Sequence, residues 1–118
     1  MIVQSTIQGI YATLLGECTD YVFYTDEGEQ AGKATIEILK NVAWVWNVEI
    51  FPEFRGKKLS HKLMEDVLSI VHDVDELKLK VINSNRKARR AYLSTGFRTV
   101  SKGPMCRTMS IRLNKEKT

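Results

Sequence analysis

Cysteine is scarce in this chain. Cys18 and Cys106 are the only two in 118 residues, far apart and outside any CxxC or Cys/His ligand spacing, which supports neither a disulfide framework nor a zinc site. Reduced thiols in a cytoplasm are the expectation. Long apolar runs are missing too. The longest stretch without charge, Ile2 to Gly16, contains Gln, Ser, Thr and Tyr, has no basic leader and is too short to span a bilayer. Neither a signal peptide nor a membrane segment is expected. Internal repeats, low-complexity tracts and linkers are also absent, and 43% hydrophobic residues over 118 positions suffice for one core but not two. A single domain over residues 1–118 follows.

Acidic residues are fewer than basic ones, 14 against 18, for a formal charge of +4. A balance this modest is compatible with nucleic acid, an acidic protein or a phosphorylated small molecule. The distribution is more selective. Positive charge gathers at Arg55, Lys57, Lys58 and Lys62, and again at Arg86, Lys87, Arg89 and Arg90, near two predicted helix starts. Either run alone reads as a solvated face, but two runs at two helix N-termini point to one shared anion.

The stretch from Val48 to Leu68 organises the rest. It opens as a strand, stops at Pro52, passes through the basic turn Arg55-Gly56-Lys57-Lys58 and continues with Leu59, Leu63, Met64, Val67 and Leu68 at helical spacing. Such an order aims the free N–H groups of the helix's first turn at whatever lies above the turn, a setting suited to a pyrophosphate.

Elsewhere the pattern is mainly of strands. Met1 to Ile7 reads as a first strand, and Gln8 to Gly16 as either a short helix or more extended chain. Thr19 to Thr25 and Gln30 to Leu39 form a hairpin across Asp26-Glu27-Gly28-Glu29. From Ala43 to Phe51, a period of two places Trp44, Trp46, Val48 and Ile50 on one side and Ala43, Val45, Asn47, Glu49 and Phe51 on the other. Both sides look buried, with the tryptophans read as core. After a helix ending near His72-Asp73, Leu77, Leu79 and Val81 mark a half-buried strand, and Asn83-Ser84-Asn85 a turn and cap. A second helix runs from Arg86 to the Gly96 stop, and Thr99–Lys102 with Arg107–Leu113 closes the chain as a hairpin around Gly103-Pro104. Residues 114–118 read as a frayed tail.

Asn85, Ala88 and Tyr92 lie at i, i+3 and i+7, on one face of the second helix. Together with Gly96-Phe97 they match, residue for residue, the pattern N-x-x-A-x-x-x-Y-x-x-x-G-F, while Ile50, Pro52 and Arg55 fall on V-x-P-x-x-[R/Q]-x-x-G-x-[G/A]. In these two stretches, and over residues 20 to 113, the chain resembles the GNAT superfamily of N-acetyltransferases. It departs from that pattern where Lys58 replaces a glycine of the acetyl-CoA loop and Ser60 replaces Gly or Ala. Lys58 either crowds the loop or contributes its ammonium to the same phosphates. A third departure is length, because the family's two helices between the first and second strands have only about a dozen residues here.

The resemblance implies an α/β (α+β) fold: a mixed, mainly antiparallel central sheet with helices on its faces, its fourth and fifth strands splayed to hold acetyl-CoA. It implies acetyl transfer to a primary amine, without a metal. Ile50, Arg55, Gly56, Lys57, Lys58, Leu59, Ser60, Asn85, Ala88 and Tyr92 are the implied acetyl-CoA contacts, with Ile50 donating its backbone N–H to the thioester oxyanion. Tyr92 is the implied general acid, since a phenol near pKa 10 stays protonated at neutral pH. For the general base, Glu49 and Glu37 are the carboxylates expected near the sheet centre, and Lys80 stands where some members carry a Glu. His61 and His72 are read as surface residues. The acceptor side is expected to be open, or completed by another chain in a homodimer. The competing reading is a non-catalytic module of the same fold, weakened by Lys58 and Ser60, that binds an acidic protein or nucleic acid through its basic surface.

Overall fold

The computed structural model describes residues 4–12, 17–56, 59–71 and 73–113, the first of these as backbone only. Seven strands form one sheet in the order β1-β2-β3-β4-β5-β7-β6. They are β1 (Gln4–Ala12), β2 (Glu17–Tyr24), β3 (Gln30–Leu39), β4 (Val42–Ile50), β5 (Glu76–Ile82), β6 (Arg98–Lys102) and β7 (Cys106–Arg112). Two helices join them, α1 (Leu59–Ile70) after β4 and α2 (Arg86–Thr95) after β5. All pairings are antiparallel except β4 with β5.

The stretch left undecided between helix and extended chain is extended through Ala12, and β1 pairs directly with β2 from Gln4–Tyr24 to Ala12–Glu17. A hairpin therefore stands where the resemblance would have placed two helices. The consequence is a sheet with unlike faces. Thr19, Ile36, Val45, Leu79, Met109 and Thr99 are successive cross-strand partners. Ile36, Val45, Leu79 and Met109 of this row join one core with Leu59, Leu63, Met64 and Val67 of α1 and Tyr92 of α2. Both helices thus cover the same face. The opposite row runs Cys18, Glu37, Trp44, Lys78, Ser110, Arg98, and among the described residues no helix lies over it.

Burial on the helix face stabilises the domain by roughly 1.5–3 kcal/mol for each large apolar side chain. Phe23, Phe97, Leu63, Met64 and Leu77 are among those with essentially no exposed surface. Gly96 ends α2 at φ 118° with its N–H shared between Tyr92 and Leu93 carbonyls, as the left-handed stop required.

The even alternation expected along β4 does not hold. Lys33 faces Glu49 and Thr35 faces Trp46, so one residue of β3 is spanned by two of β4. The extra residue is Asn47, whose φ of 56° is left-handed. Trp44, Trp46 and Glu49 consequently share the open face, whereas Val48 and Ile50 pack on the core with Ala43 and Val45. The tryptophans are half-buried and stacked, rings 5.2 Å apart, and form part of the open face instead of the core.

Candidate active site

The bulge prepares an opening between two parallel strands. β4 and β5 are paired only from Val42–Glu76 to Val45–Leu79, although β4 continues to Ile50 and β5 to Ile82. Beyond Val45 their facing backbone edges diverge. At the far end of β4, Phe51 N–H donates to the Ala31 carbonyl of β3 (2.8 Å), so Gly32 and Ile50 form a non-hydrogen-bonded pair. The polar groups of Ile50 accordingly point away from β3, toward the gap. Its carbonyl accepts from Arg55 Nε at 2.8 Å, and strand geometry places the N–H on the same side.

Gly32 makes this close packing of β3 on β4 achievable. A Cβ there would lie 2.5 Å from the Glu49 carbonyl oxygen and 3.0 Å from Leu63 Cδ1.

Past Phe51 the chain makes one 3-10 turn over Pro52–Phe54 and bends at Gly56, φ 80°, before α1. There lies a cavity of about 640 Å³ lined by Ile50, Phe54, Arg55, Gly56, Leu59, Ser60, His61, Lys87, Arg90, Ala91 and Ser94. It unites the two basic runs. Arg55 comes from the turn, and Lys87 and Arg90 from α2. Neither helix carries an acidic residue in its first turn, so the positive end of neither dipole is offset by an acid of its own helix. Lysines and arginines at a helix start are unfavourable to the dipole, and an anion bound between them removes that penalty. Volume and charge fit a phosphate-bearing ligand with an apolar part.

Of the ten residues read from the sequence as cofactor contacts, Ile50, Arg55, Gly56, Leu59 and Ser60 line this cavity. Lys57 and Lys58 lie outside the described residues. The remaining three sit elsewhere. Asn85 caps α2, its Oδ1 accepting from Ala88 N–H at 3.2 Å, and Ala88 packs on the core. Tyr92 is 7% exposed, its ring 6.0 Å from that of Phe97. Burial pushes its phenol above the ordinary tyrosine value, which keeps it protonated. The face of α2 that meets the cavity is Lys87, Arg90, Ala91 and Ser94, at i, i+3, i+4 and i+7.

The two carboxylates differ. Glu49 is 40% exposed in its side chain and pairs with Lys33 and Arg55, each at 3.7 Å. Glu37 is buried and accepts from Trp46 Nε1 at 2.8 Å. Beside it Cys18 is buried, and burial, followed by the charges of Glu37 and Asp20, raises its thiol pKa. Lys80 is exposed. His61, read as a surface residue, is half-buried and bonded to both helices: Nε2 lies 3.0 Å from Glu65 Oε2 and Nδ1 2.8 Å from Ser94 Oγ. His72 lies outside the described residues. Reading the sequence missed Phe54, His61, Ala91 and Ser94. The i, i+4, i+7 spacing of Lys87, Ala91 and Ser94 could have marked a second functional face on α2.

Among the described residues no helix is long and apolar enough to cross a membrane, and no group of three or more potential metal ligands is assembled.

A mixed sheet parted between adjacent parallel strands, with a basic cavity at the start of the next helix, is the architecture of the GNAT acetyltransferase fold. The model of the acetyltransferase (GNAT) domain matches residues 4–113, and the chain belongs to that family. Solved structures agree in fold. Spermidine N-acetyltransferase from Vibrio cholerae, solved with CoA and spermine, aligns with TM-score 0.73 at 19% identity over 83% of this chain and 67% of that one. The Campylobacter jejuni N-acetyltransferase PseH, solved with acetyl coenzyme A, aligns with TM-score 0.72 at 18% identity over 80% and 67%. For the Escherichia coli ribosomal-protein-S18-alanine N-acetyltransferase the values are 0.70, 19%, 82% and 70%. No curated protein sequence matches this one at a significant level.

Proposed function

We propose that the protein transfers the acetyl group of acetyl-CoA to a primary amine of an acceptor that reaches the gap between β4 and β5 from the open face of the sheet. The observation that carries this reading is the joining of that gap to the basic cavity at Ile50, which ends β4 and lines the cavity. Arg55, Gly56, Leu59 and Ser60, with Lys87 and Arg90, hold the phosphate-bearing part of the donor.

Aminolysis of a thioester needs a neutral amine, a donor to the developing oxyanion and a proton for the leaving thiolate. Ile50 supplies its backbone N–H to the oxyanion, a donor fixed in place by the Phe51–Ala31 bond and the Gly32 contact. Tyr92, held protonated by burial, donates to the thiolate. Glu49 is exposed on the acceptor side, where it removes the amine's proton directly or through one water. There its carboxylate also lies 3.7 Å from the cations of Lys33 and Arg55.

The test is calorimetric titration with acetyl-CoA followed by transfer to a panel of amines and peptides. Binding with a raised melting temperature, then acetylation of an amine, is the expected result. Absence of both heat and thermal shift at saturating acetyl-CoA overturns the reading. Binding without transfer to any acceptor favours a non-catalytic module.

A further inference from the structure

His61 lies in the first turn of α1 and lines the cavity together with Ser94, near the end of α2. Its ring is held from both sides. Nδ1 lies 2.8 Å from Ser94 Oγ and 3.4 Å from Thr95 Oγ1, and Nε2 lies 3.0 Å from Glu65 Oε2, one turn further along α1. A serine hydroxyl can donate or accept, so the link to α2 is made whether the imidazole is neutral or charged. Among the described residues these are the only side-chain hydrogen bonds that join α1 to α2. Apart from them, Leu59, Leu63, Met64 and Val67 of α1 share the apolar core with Tyr92 of α2. Such packing holds both helices on the sheet but is non-directional, whereas a hydrogen bond fixes a distance and an angle.

From this we propose that His61 is a positioning residue of the cavity: by tying the first turn of α1 to the last turn of α2, it sets the free N–H groups of α1 against the face that carries Lys87 and Arg90, so that both act on one phosphate-bearing ligand. The N–H groups of a helix's first turn serve an anion only where they point at it. Lys87, Arg90 and Ser94 follow one another along α2 over about 10 Å, at about 1.5 Å per residue, and the link stands at the Ser94 end of that row. The side chain of His61 is 39% exposed, so water competes for its bonds and they contribute little to global stability. Their effect is local, on where the start of α1 stands. The ligand named here rests on the acetyl-CoA reading above; the link between the helices does not.

Acetyl-CoA affinity is measured by calorimetry, well below each melting temperature, for the wild type, His61→Ala, Ser94→Ala, the double variant, His61→Asn and His61→Gln. An asparagine amide stands in the place of Nδ1 and can bond Ser94; a glutamine amide stands in the place of Nε2 and reaches only Glu65. His61→Ala and Ser94→Ala are each expected to weaken binding about two- to tenfold, and the double variant no more than the weaker of the two, because both remove the same interaction. His61→Asn is expected to bind like the wild type, and His61→Gln like His61→Ala. Unchanged affinity in Ser94→Ala beside a loss in His61→Ala, additive losses in the double variant, or no loss in any variant overturns the positioning role. In the free protein, hydrogen exchange at the amides of α1 and of the last turn of α2 is expected to be faster in His61→Ala and Ser94→Ala than in the wild type or His61→Asn. Equal exchange in all of them overturns the link. Faster exchange in the two alanine variants, with no acetyl-CoA binding by the wild type, supports the link and overturns the donor reading.

Discussion

Trp46 and Glu49 share the open face of the sheet although three positions separate them, because Asn47 is the extra residue of a β-bulge. Were Asn47 an ordinary residue of an evenly alternating strand, Glu49 would point into the core and Ile50 would turn its side chain out. The bulge thus decides which acid is available to an acceptor and which side chain packs under Leu63. It also sets the point beyond which β4 no longer follows β5.

Asn47 is held at φ 56°, a conformation that asparagine and glycine tolerate and β-branched residues do not. Asn47→Gly is expected to leave stability within about 0.5 kcal/mol, whereas Asn47→Val lowers it by about 1–2 kcal/mol. Urea melts of both variants test this, and equal midpoints would refute the strain argument.

Gly32→Ala introduces a methyl group 2.5 Å from the Glu49 carbonyl, a backbone atom that cannot move alone. A loss of about 2–3 kcal/mol is expected, together with a lower turnover, since the shift carries the Ile50 N–H with it. Full stability with full activity in Gly32→Ala would show that β3 and β4 yield at this point.

Tyr92→Phe removes one oxygen and keeps the ring that packs on Phe97. Stability and acetyl-CoA affinity are expected to change little, while turnover falls by about a hundredfold. Because burial raises the phenol's pKa, the wild-type rate is not expected to fall below pH 10 through loss of this proton. An unchanged rate in Tyr92→Phe would assign the tyrosine to packing and the acid to water.

Arg90→Gln and Lys87→Gln remove cavity charges that touch no reacting atom. Each is expected to raise the KM for acetyl-CoA about two- to fivefold with kcat unchanged. The effect should shrink at high salt, because exposed charges are screened over about 10 Å at 0.1 M. A salt-independent KM, or a change confined to kcat, would argue against phosphate contact.

Asp66 on α1 has its carboxyl pKa raised, chiefly by burial and against the opposing pull of Lys62, and its Oδ2 has no hydrogen-bond partner among the described residues. An acid with a raised folded-state pKa binds its proton more tightly folded than unfolded. The native state is therefore weakened as pH rises from the unfolded value through the folded one. Asp66→Asn is expected to raise the melting temperature at pH 7, by about 1 kcal/mol of stability at most, and to make no difference at pH 3. A variant less stable than wild type at pH 7 would mean that the carboxylate has a favourable partner.

Much of the fold was legible in the residues. β3, the cap at Asn85, the start of α2 and the left-handed stop at Gly96 fall where turn chemistry and hydrophobic spacing put them, because each depends on interactions within a few residues. Arg55 and Gly56, ahead of a helix that opens with Leu59 and Ser60, were legible for the same reason, and these four residues supply part of the cavity lining. Another part comes from α2. Nothing local says which face of an Arg-rich helix meets α1. That choice follows from Tyr92 and Ala88 being drawn into the core, which leaves Lys87, Arg90 and Ser94 toward the turn.

Likewise, a period of two read along β4 has no means of registering an extra residue at Asn47, since the bulge is defined by the count on the partner strand. The direction of Glu49, the open side of Ile50 and the stacking of Trp44 on Trp46 all depend on that count. The sequence by itself determined the elements, their order and the two motifs, through spacing and capping. Only the tertiary structure decided which side chains share a face, because register across strands and packing between helices are set by residues distant in the chain.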